Sequence, residues 1–233
     1  MKKKLINNKL FYFFYKILKI YRNNSPSHHY GEFGEDVFIN RIFKSISSGK
    51  YVDVGCYHPF KGSLTVDLYK KGWTGINIDI SKSSIDLFNL IRTKDTNLNI
   101  AVSNFDGETY YYENSAINQQ NSLIKSNDAQ KVIKIKCKKL NTILEENNLN
   151  KFEYLNIDVE GNELNVVKGL NLAKYTPNLI TIENNNLMIE DYIQSEIYNL
   201  LKEMNYVFIG KSGVTNFFLI KKFSQNFSNL MRI

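Results

Sequence analysis

Short apolar runs alternate with amphipathic stretches along most of this chain, which is the pattern of consecutive βαβ units. The apolar runs predict strands at 51–55, 75–80, 98–103, 153–159, 178–183, 206–210 and 215–222. The stretches between them predict helices at 35–47, 63–71, 83–92, 140–148, 163–170 and 190–204. Strands that are apolar throughout suit a sheet buried on both faces, so the pattern predicts an α/β protein with a mostly parallel sheet.

The alternation changes at two places. The last two strands have only a turn around residues 211–213 between them, so we expect an antiparallel pair at one edge of the sheet. Between Asp106 and Lys139, the runs 110–113 and 132–136 also resemble strands, with a loop rich in Asn, Gln and Ser between them. We interpret this segment as a β insertion after the third strand, near the mouth of the active site.

Positive charge is concentrated at the start of the chain. The formal net charge is +7, and seven basic residues precede the first acid: Lys2, Lys3, Lys4, Lys9, Lys16, Lys19 and Arg22. The remainder is close to neutral and carries no nucleic-acid-binding motif, so we expect no nucleic-acid partner. The apolar run 10–20 is too short to span a bilayer. Two interpretations stay open: an interfacial membrane helix, or a helix that packs on the domain or on a second subunit.

These features divide the chain into a basic aromatic segment (1–27), one α/β domain (28–223) and a tail (224–233). Cys56 and Cys137 are too few for a disulfide framework in a chain of 233 residues, which favours a reducing compartment. We therefore expect a cytoplasmic protein. If the basic segment is an interfacial helix, we expect the protein to be peripheral on the inner face of the cytoplasmic membrane. The sequence does not define its oligomeric state.

Acidic residues end the first two predicted strands, where open α/β sheets bind their ligands. Asp53 and Gly55 end the first strand, and Asp79 ends the second. An acid at the second position accepts hydrogen bonds from the ribose of a nucleoside cofactor. Gly55 stands alone, without the G-x-G-x-x-G loop that admits a pyrophosphate, so a cofactor without phosphates fits better than a dinucleotide.

The fourth predicted strand ends in a cluster of acids, Asp158, Glu160 and Glu163. Unpaired carboxylates are costly in a core, which indicates a functional role for this cluster. In the alternative interpretation, Glu160 and Glu163 begin the next helix and stabilise its N-terminus.

A set of motifs along the chain resembles the FkbM family of methyltransferases. They are GEFGEDVFI (31–39), YVDVGCYHPFKGSLT (51–65), LYKKGWTGINIDIS (68–81), NIAVSN (99–104) and NIDVEGNELNVVKGL (156–170). The resemblance extends from about Gly31 to Lys221. It implies a Rossmann-like class I fold with a seven-stranded sheet and an antiparallel last strand. It also implies S-adenosylmethionine as cofactor and O-methylation, often of sugars or glycans.

The resemblance also assigns roles to residues. The cofactor-binding set is Glu35, Asp36, Asp53, Gly55, Asp79, Ile80, Ala101, Val102, Ser103 and Asp158, with residues 101–103 expected beside the adenine. The substrate-binding set is Ser122, Glu160 and Glu183. Departures from the family pattern occur at Glu32, at Ser63-Leu64-Thr65 and in the loosely matched segment 121–123. They leave the identity of the acceptor open.

Methyl transfer to a sugar hydroxyl calls for a base that takes the hydroxyl proton. Asp158 is the first candidate and His58 the second, although a lone His after a strand more often has a structural role. Oxygen ligands from Asp158, Glu183 and Asn184 would suit Mg²⁺, but we favour the interpretation that Glu183 and Asn184 cap a loop. We therefore expect no metal.

The sequence thus predicts an S-adenosylmethionine-dependent O-methyltransferase that acts on a sugar hydroxyl of a bacterial surface glycan or glycoconjugate. Three alternatives remain. The chain could be an NAD-dependent or nucleotide-sugar oxidoreductase, or a non-catalytic membrane-associated protein that keeps the fold. It could also be a methyltransferase whose acceptor is a protein or a small molecule, since fold does not fix substrate.

Overall fold

The computed structural model describes residues 13–18, 29–113, 122–123, 131–184 and 188–224. The named helices are α1 (Glu35–Ile42), α2 (Val66–Lys70), α3 (Lys82–Ile91), α4 (Leu140–Glu146), α5 (Glu163–Lys168), α6 (Ile189–Tyr192) and α7 (Glu196–Glu203). The first strands are β1 (Lys50–Val54), β2 (Thr74–Asp79), β3 (Thr96–Asn99), β4 (Ala101–Ser103) and β5 (Gly107–Glu113). They are followed by β6 (Lys131–Lys139), β7 (Tyr154–Ile157), β8 (Leu179–Glu183), β9 (Tyr206–Ser212) and β10 (Thr215–Ile220).

Seven of these strands form one sheet in the order β3-β2-β1-β7-β8-β10-β9. The neighbouring pairs from β3 to β8 are parallel, whereas β10 runs antiparallel to both β8 and β9. The predicted mostly parallel sheet with antiparallel strands at its end is therefore present. The short β9–β10 connection explains this end, because antiparallel neighbours need no crossover helix.

The sheet is buried on both faces, as the apolar strands predicted. Successive residues of β1 belong to the apolar clusters on the two faces of the sheet. Tyr51 packs in one cluster with helix α1 and Trp73, and Val52 packs in the other with α4 and α5. The parallel register places Val54 beside both Ile78 and Ile157. The carboxyl ends of β1, β2 and β7 therefore meet at one edge of the sheet.

Two predicted elements are divided in the structure. The predicted strand 98–103 is two strands, because β3 pairs with β2 whereas β4 leaves the sheet and pairs with β6. The predicted helix 190–204 is interrupted at Ser195, whose Oγ accepts a hydrogen bond from the Tyr198 amide and caps α7 (3.2 Å). The predicted insertion contains β5 and β6, which form a second sheet with β4 in the order β4-β6-β5.

The basic first segment is described only at residues 13–18, which are helical. Phe14 and Leu18 are exposed, whereas Lys16 is buried. In the part of the chain that the structure describes, no helix is long and apolar enough to cross a membrane. The predicted boundaries near 27 and within 224–233 involve residues outside the described ranges, so that division stays a prediction.

Candidate functional site

A cleft of about 940 Å³ opens at the carboxyl edge of the sheet. It lies between β1 and β7, where the strand order reverses, which is the usual ligand position in open α/β sheets. The ends of β1, β2, β7 and β8 form its floor, and α3, the β5–β6 insertion and residues 13–18 contribute walls. Six of the predicted residues that line it are Asp53, Gly55, Asp79, Asp158, Glu160 and Glu183.

Asp53 is held at the floor of the cleft by neutral hydrogen-bond donors. Its two carboxylate oxygens accept from Thr65 Oγ1 (3.1 Å) and from Asn156 Nδ2 (2.9 Å). Asn156 is fixed in turn, because its Oδ1 accepts from Thr181 Oγ1 (2.7 Å), which also bonds the Tyr154 hydroxyl (2.7 Å). Burial raises the pKa of Asp53, and these donors oppose the rise. This chain of hydrogen bonds spans β1, β7 and β8, and it fixes the orientation of the buried Asp53 carboxylate.

Gly55 joins the end of β1 to the end of β7. Its φ is +85°, and a Cβ at this position would overlap with the backbone carbonyl oxygen of Asp158. The Gly55 amide also donates to the Ile78 carbonyl (2.8 Å), and the Asp158 amide donates to the Val54 carbonyl (2.8 Å). The glycine therefore permits a close backbone contact between the ends of two strands.

Asp79 stands at the end of β2 and faces the cleft. One of its oxygens accepts from the Tyr57 amide (2.8 Å) and the other from the Ser81 amide (2.7 Å). Its pKa is raised chiefly by burial, and those two amides and the charge of Lys16 oppose the rise. A carboxylate can accept about four hydrogen bonds, so this one keeps acceptor sites for a ligand. Ile80 follows it and adds an apolar surface to the cleft.

Arg92 organises the loop that covers the β1 end of the cleft, although it lies at the end of α3 and is 1% exposed. Its guanidinium donates to the Pro59 carbonyl (2.9 Å) and to Ser63 Oγ (3.2 Å). It also stacks over the Tyr69 ring at 4.6 Å. Nothing in the sequence pattern distinguishes this Arg from an ordinary surface Arg at a helix end.

A carboxyl cluster forms the β7–β8 side of the cleft. Asp158 shares a hydrogen bond with Glu183, and burial, together with that bond and the charge of Glu183, raises the pKa of Asp158 well above its usual value. Burial and the neighbouring acids raise the pKa of Glu160 to about 7. The Asp158–Glu183 pair is therefore suited to hold one proton between its two carboxyl groups.

Glu163 has a structural role beside this cluster. Its Oε1 accepts from the Gly161 amide (2.9 Å) and the Val159 amide (3.3 Å), so it closes the turn that precedes α5. Asn184, just after the cluster, donates its backbone amide to the Val214 carbonyl (2.9 Å). Among the described residues, no group of three or more His, Cys, Asp or Glu side chains is arranged to hold a metal ion.

His58 stabilises a turn outside the lining of the cleft. Its Nδ1 accepts from the amides of Lys61 (2.9 Å) and Phe60 (3.1 Å), and the side chain is buried. These contacts match the structural role considered for a lone His. Of the two candidate bases, only Asp158 lines the cleft.

The two acids of the Gly34-Glu35-Asp36 motif differ in position: one lines the cleft and the other has a structural role. Glu35 lines the cleft, and its carboxylate accepts from the Phe33 amide (2.9 Å) and from Thr215 Oγ1 (3.4 Å). Asp36 is fully buried, accepts from the Tyr30 amide (2.7 Å) and does not line the cleft. It fixes the turn that precedes α1.

Of the three residues 101–103, only Val102 lines the cleft. The side-chain amide of Asn162 donates to the Val102 carbonyl (2.9 Å) and anchors β4 beside α5. Ser122 lies behind the lining, where its Oγ donates to the Glu160 carbonyl (2.7 Å), and the neighbouring Leu123 lines the cleft instead. The insertion therefore reaches the carboxyl cluster through the Ser122 contact.

Several lining residues were missed by the sequence reasoning, namely Phe13, Lys16, Tyr57, Val214 and Thr215. Tyr57 is the second residue after the predicted strand 51–55, so its position at a strand end was a usable signal. The others come from the first segment and from the β9–β10 turn. Long-range packing brings them to the cleft, and no local pattern indicates it.

The fold and cleft define an α/β protein whose ligand site lies at the point where the strand order reverses. Residues 53–208 match the methyltransferase FkbM domain family. The chain therefore belongs to the FkbM family of methyltransferases, which confirms the resemblance seen in its motifs.

A crystal structure of monomeric WbdD is similar at a TM-score of 0.41 and 12% identity, and the match covers 80% of this chain and 40% of that chain. The present chain thus spans less than half the length of that protein. No curated protein sequence matches the chain at a significant level.

Proposed function

We propose that this FkbM-family protein is an S-adenosylmethionine-dependent O-methyltransferase that acts on the hydroxyl group of a sugar. One observation carries the proposal: the half-buried Asp158–Glu183 carboxyl pair lies in the same cleft as Asp79 and Gly55. A proton acceptor and a nucleoside-type site thus share one cavity. That combination suits group transfer from a nucleoside cofactor to a hydroxyl.

The residues of the cleft fit the proposed cofactor. Asp79 offers carboxylate oxygens to ribose hydroxyls, and Asp53 lies at the floor beside Gly55 for the amino-acid end. Ile80 and Val102 supply apolar surface for a flat base. Pockets for ligands of drug size measure about 300–1,000 Å³, so a cleft of about 940 Å³ has room for a cofactor and part of an acceptor.

In the proposed mechanism, the chain positions the reactants and Asp158 takes the proton. When bound, S-adenosylmethionine supplies an electrophilic methyl group. When the Asp158–Glu183 pair is ionised, Asp158 accepts the proton of the acceptor hydroxyl as that oxygen becomes a nucleophile, and the two carboxyl groups then share this proton. The raised pKa of Asp158 makes it a stronger base than an exposed carboxylate. Alignment of the two reactants in one cleft contributes much of the rate.

We propose that the acceptor sugar binds against the wall of the cleft formed by Glu160, Glu183 and the insertion residue Leu123. Carboxylate oxygens suit a sugar because they accept hydrogen bonds from several hydroxyl groups. We propose a surface glycan or glycoconjugate precursor as the acceptor, methylated on the cytoplasmic side. This choice is supported by the family resemblance, which implies O-methylation, often of sugars or glycans.

We also propose that the basic first segment contacts the membrane surface peripherally. Phe14 and Leu18 are exposed, and the first 22 residues carry basic residues and no acid. We expect the protein to sediment with phosphatidylglycerol vesicles and to stay in solution with phosphatidylcholine vesicles, because anionic lipid attracts Lys and Arg. The Phe14→Ser/Leu18→Ser variant should sediment less. Equal recovery of all samples in solution would contradict membrane contact.

Calorimetric titration tests the cofactor. Wild-type protein should bind S-adenosylmethionine and give no signal with NAD. Asp79→Ala should weaken binding about 10- to 100-fold, since hydrogen bonds to a charged group contribute about 1.5–3 kcal/mol. Asp86→Ala is the matched control, because Asp86 lines the cleft from the exposed face of α3, where it pairs with Lys82.

Each of three results of the titration favours a different function. Binding that weakens only in Asp79→Ala supports both the cofactor and its orientation. A folded wild-type protein that binds NAD instead would support an oxidoreductase. Failure to bind either ligand would favour a non-catalytic protein that keeps the fold.

A further inference from the structure

The helical residues 13–18 contribute to the cleft although they lie far outside the matched family region. Phe13 and Lys16 line it together with Asp79, Ser81 and Ser83. Phe14 and Leu18, in contrast, are 55% and 65% exposed. The short helix therefore turns one side towards the cleft and the other towards solvent.

Lys16 is buried at the cleft to a degree that is unusual for a lysine, with 6% of its surface exposed. Its Nζ donates to Ser83 Oγ (3.4 Å) and lies 5.6 Å from the centroid of the Tyr57 ring. Ser83 Oγ is linked further to Ser81 Oγ (3.0 Å). The ammonium group is thus fixed at the start of α3 and above the loop that follows β1.

The same two elements hold Asp79. The Tyr57 amide and the Ser81 amide are the donors to its carboxylate. Lys16 and Asp79 therefore both contact Tyr57, and Ser81 is linked to the Ser83 that Lys16 contacts. Burial lowers the pKa of Lys16, and the negative charge of Asp79 opposes that shift. A donor and an acceptor of opposite charge therefore face one part of the cleft.

We propose that Lys16 contacts the cofactor. Its ammonium group donates a hydrogen bond to the same ribose hydroxyl that donates a hydrogen bond to Asp79. A hydroxyl group both donates one hydrogen bond and accepts others, so an acid and an ammonium group recognise it together. The proposal rests on the proposed function, because it assumes that a nucleoside cofactor lies at Asp79. Residues 13–18 are then the outer wall of the ribose subsite.

The test compares three ligands and two proteins by calorimetric titration. The ligands are S-adenosylhomocysteine and its analogues with hydrogen in place of the 2′ or the 3′ hydroxyl. Lys16→Met, which keeps the length and apolar stem of the side chain, should bind S-adenosylhomocysteine about 10- to 100-fold more weakly than wild type. For at least one analogue, the loss relative to S-adenosylhomocysteine should be clearly smaller in Lys16→Met than in wild type, because the hydroxyl has lost one partner.

Control variants separate ligand contact from a merely structural role. Leu18→Ser changes the exposed side of the same helix and should bind as wild type does, and Lys16→Arg should retain part of the affinity. Equal affinities of Lys16→Met and wild type would overturn the inference and leave the proposed function intact. So would losses that simply add for variant and analogue, since they mean that Lys16 only holds the helix. A wild-type protein that binds no S-adenosylhomocysteine would contradict the proposed function itself.

Discussion

Gly55→Ala should lower the melting temperature by about 6 to 12 °C. In a domain of this size, this shift corresponds to a decrease of about 3 kcal/mol in the free energy of unfolding. Two effects add at this position. The residue has a φ of +85°, which alanine adopts only at a cost, and the new Cβ would overlap with the Asp158 carbonyl oxygen. That oxygen belongs to the backbone and cannot rotate away, so β1 and β7 must separate at their ends. Thermal unfolding followed by circular dichroism measures the change.

Gly72→Ala is the matched control for this experiment. Gly72 has a φ of +92°, is exposed, and would leave a Cβ with nothing within 4 Å. This variant carries the conformational cost alone, about 1 kcal/mol, and should lower the melting temperature by about 2 to 4 °C. If both variants melt alike, the overlap with Asp158 does not decide stability. Gly55→Ala should also fail to bind S-adenosylmethionine, since the same overlap displaces Asp158.

The sequence predicted the sheet because the information is local. Runs such as 75–80 and 178–183 are rich in apolar residues, and each became a strand of the main sheet, β2 and β8, within a residue or two. Asp53, Asp79 and Asp158 were predicted to meet because parallel strands end at one edge, and all three line the cleft. Divided elements were harder to predict. The break at Ile100, between β3 and β4, depends on pairing with β6, which lies more than thirty residues later.

Contacts between distant segments account for the rest of the site. Lys16 and Arg92 sit in stretches that read as surface helices, yet both are buried beside the cleft. Gly55 was assigned to the cofactor-binding set, and its close contact with the Asp158 backbone is a second constraint that the sequence did not indicate. For His58, the hydrogen bonds from the turn amides use a nitrogen that general-base chemistry would need. Each of these outcomes depends on three-dimensional packing that no spacing along the chain encodes.

Asp158→Asn should lower kcat about 10²- to 10⁴-fold, the usual contribution of a positioned general base. Asparagine keeps the size and polarity of the side chain but cannot accept the hydroxyl proton. Binding of S-adenosylmethionine should change by less than about tenfold. Release of S-adenosylhomocysteine measures turnover, with sugars, sugar nucleotides and oligosaccharides supplied in turn as acceptors. Glu183→Gln should also lower kcat, because Glu183 holds and polarises Asp158.

The pH dependence gives an independent check on the same role. A base acts only when ionised, so the wild-type rate should rise with pH, and the raised pKa of Asp158 moves that rise towards neutral pH. In Asp158→Asn the residual rate should depend less on pH. Asp86→Asn is the control, since that exposed acid lines the same cleft and pairs with Lys82, so its kcat should match wild type. A wild-type kcat in Asp158→Asn would rule out Asp158 as the base, and a loss confined to Glu183→Gln would transfer the role to Glu183.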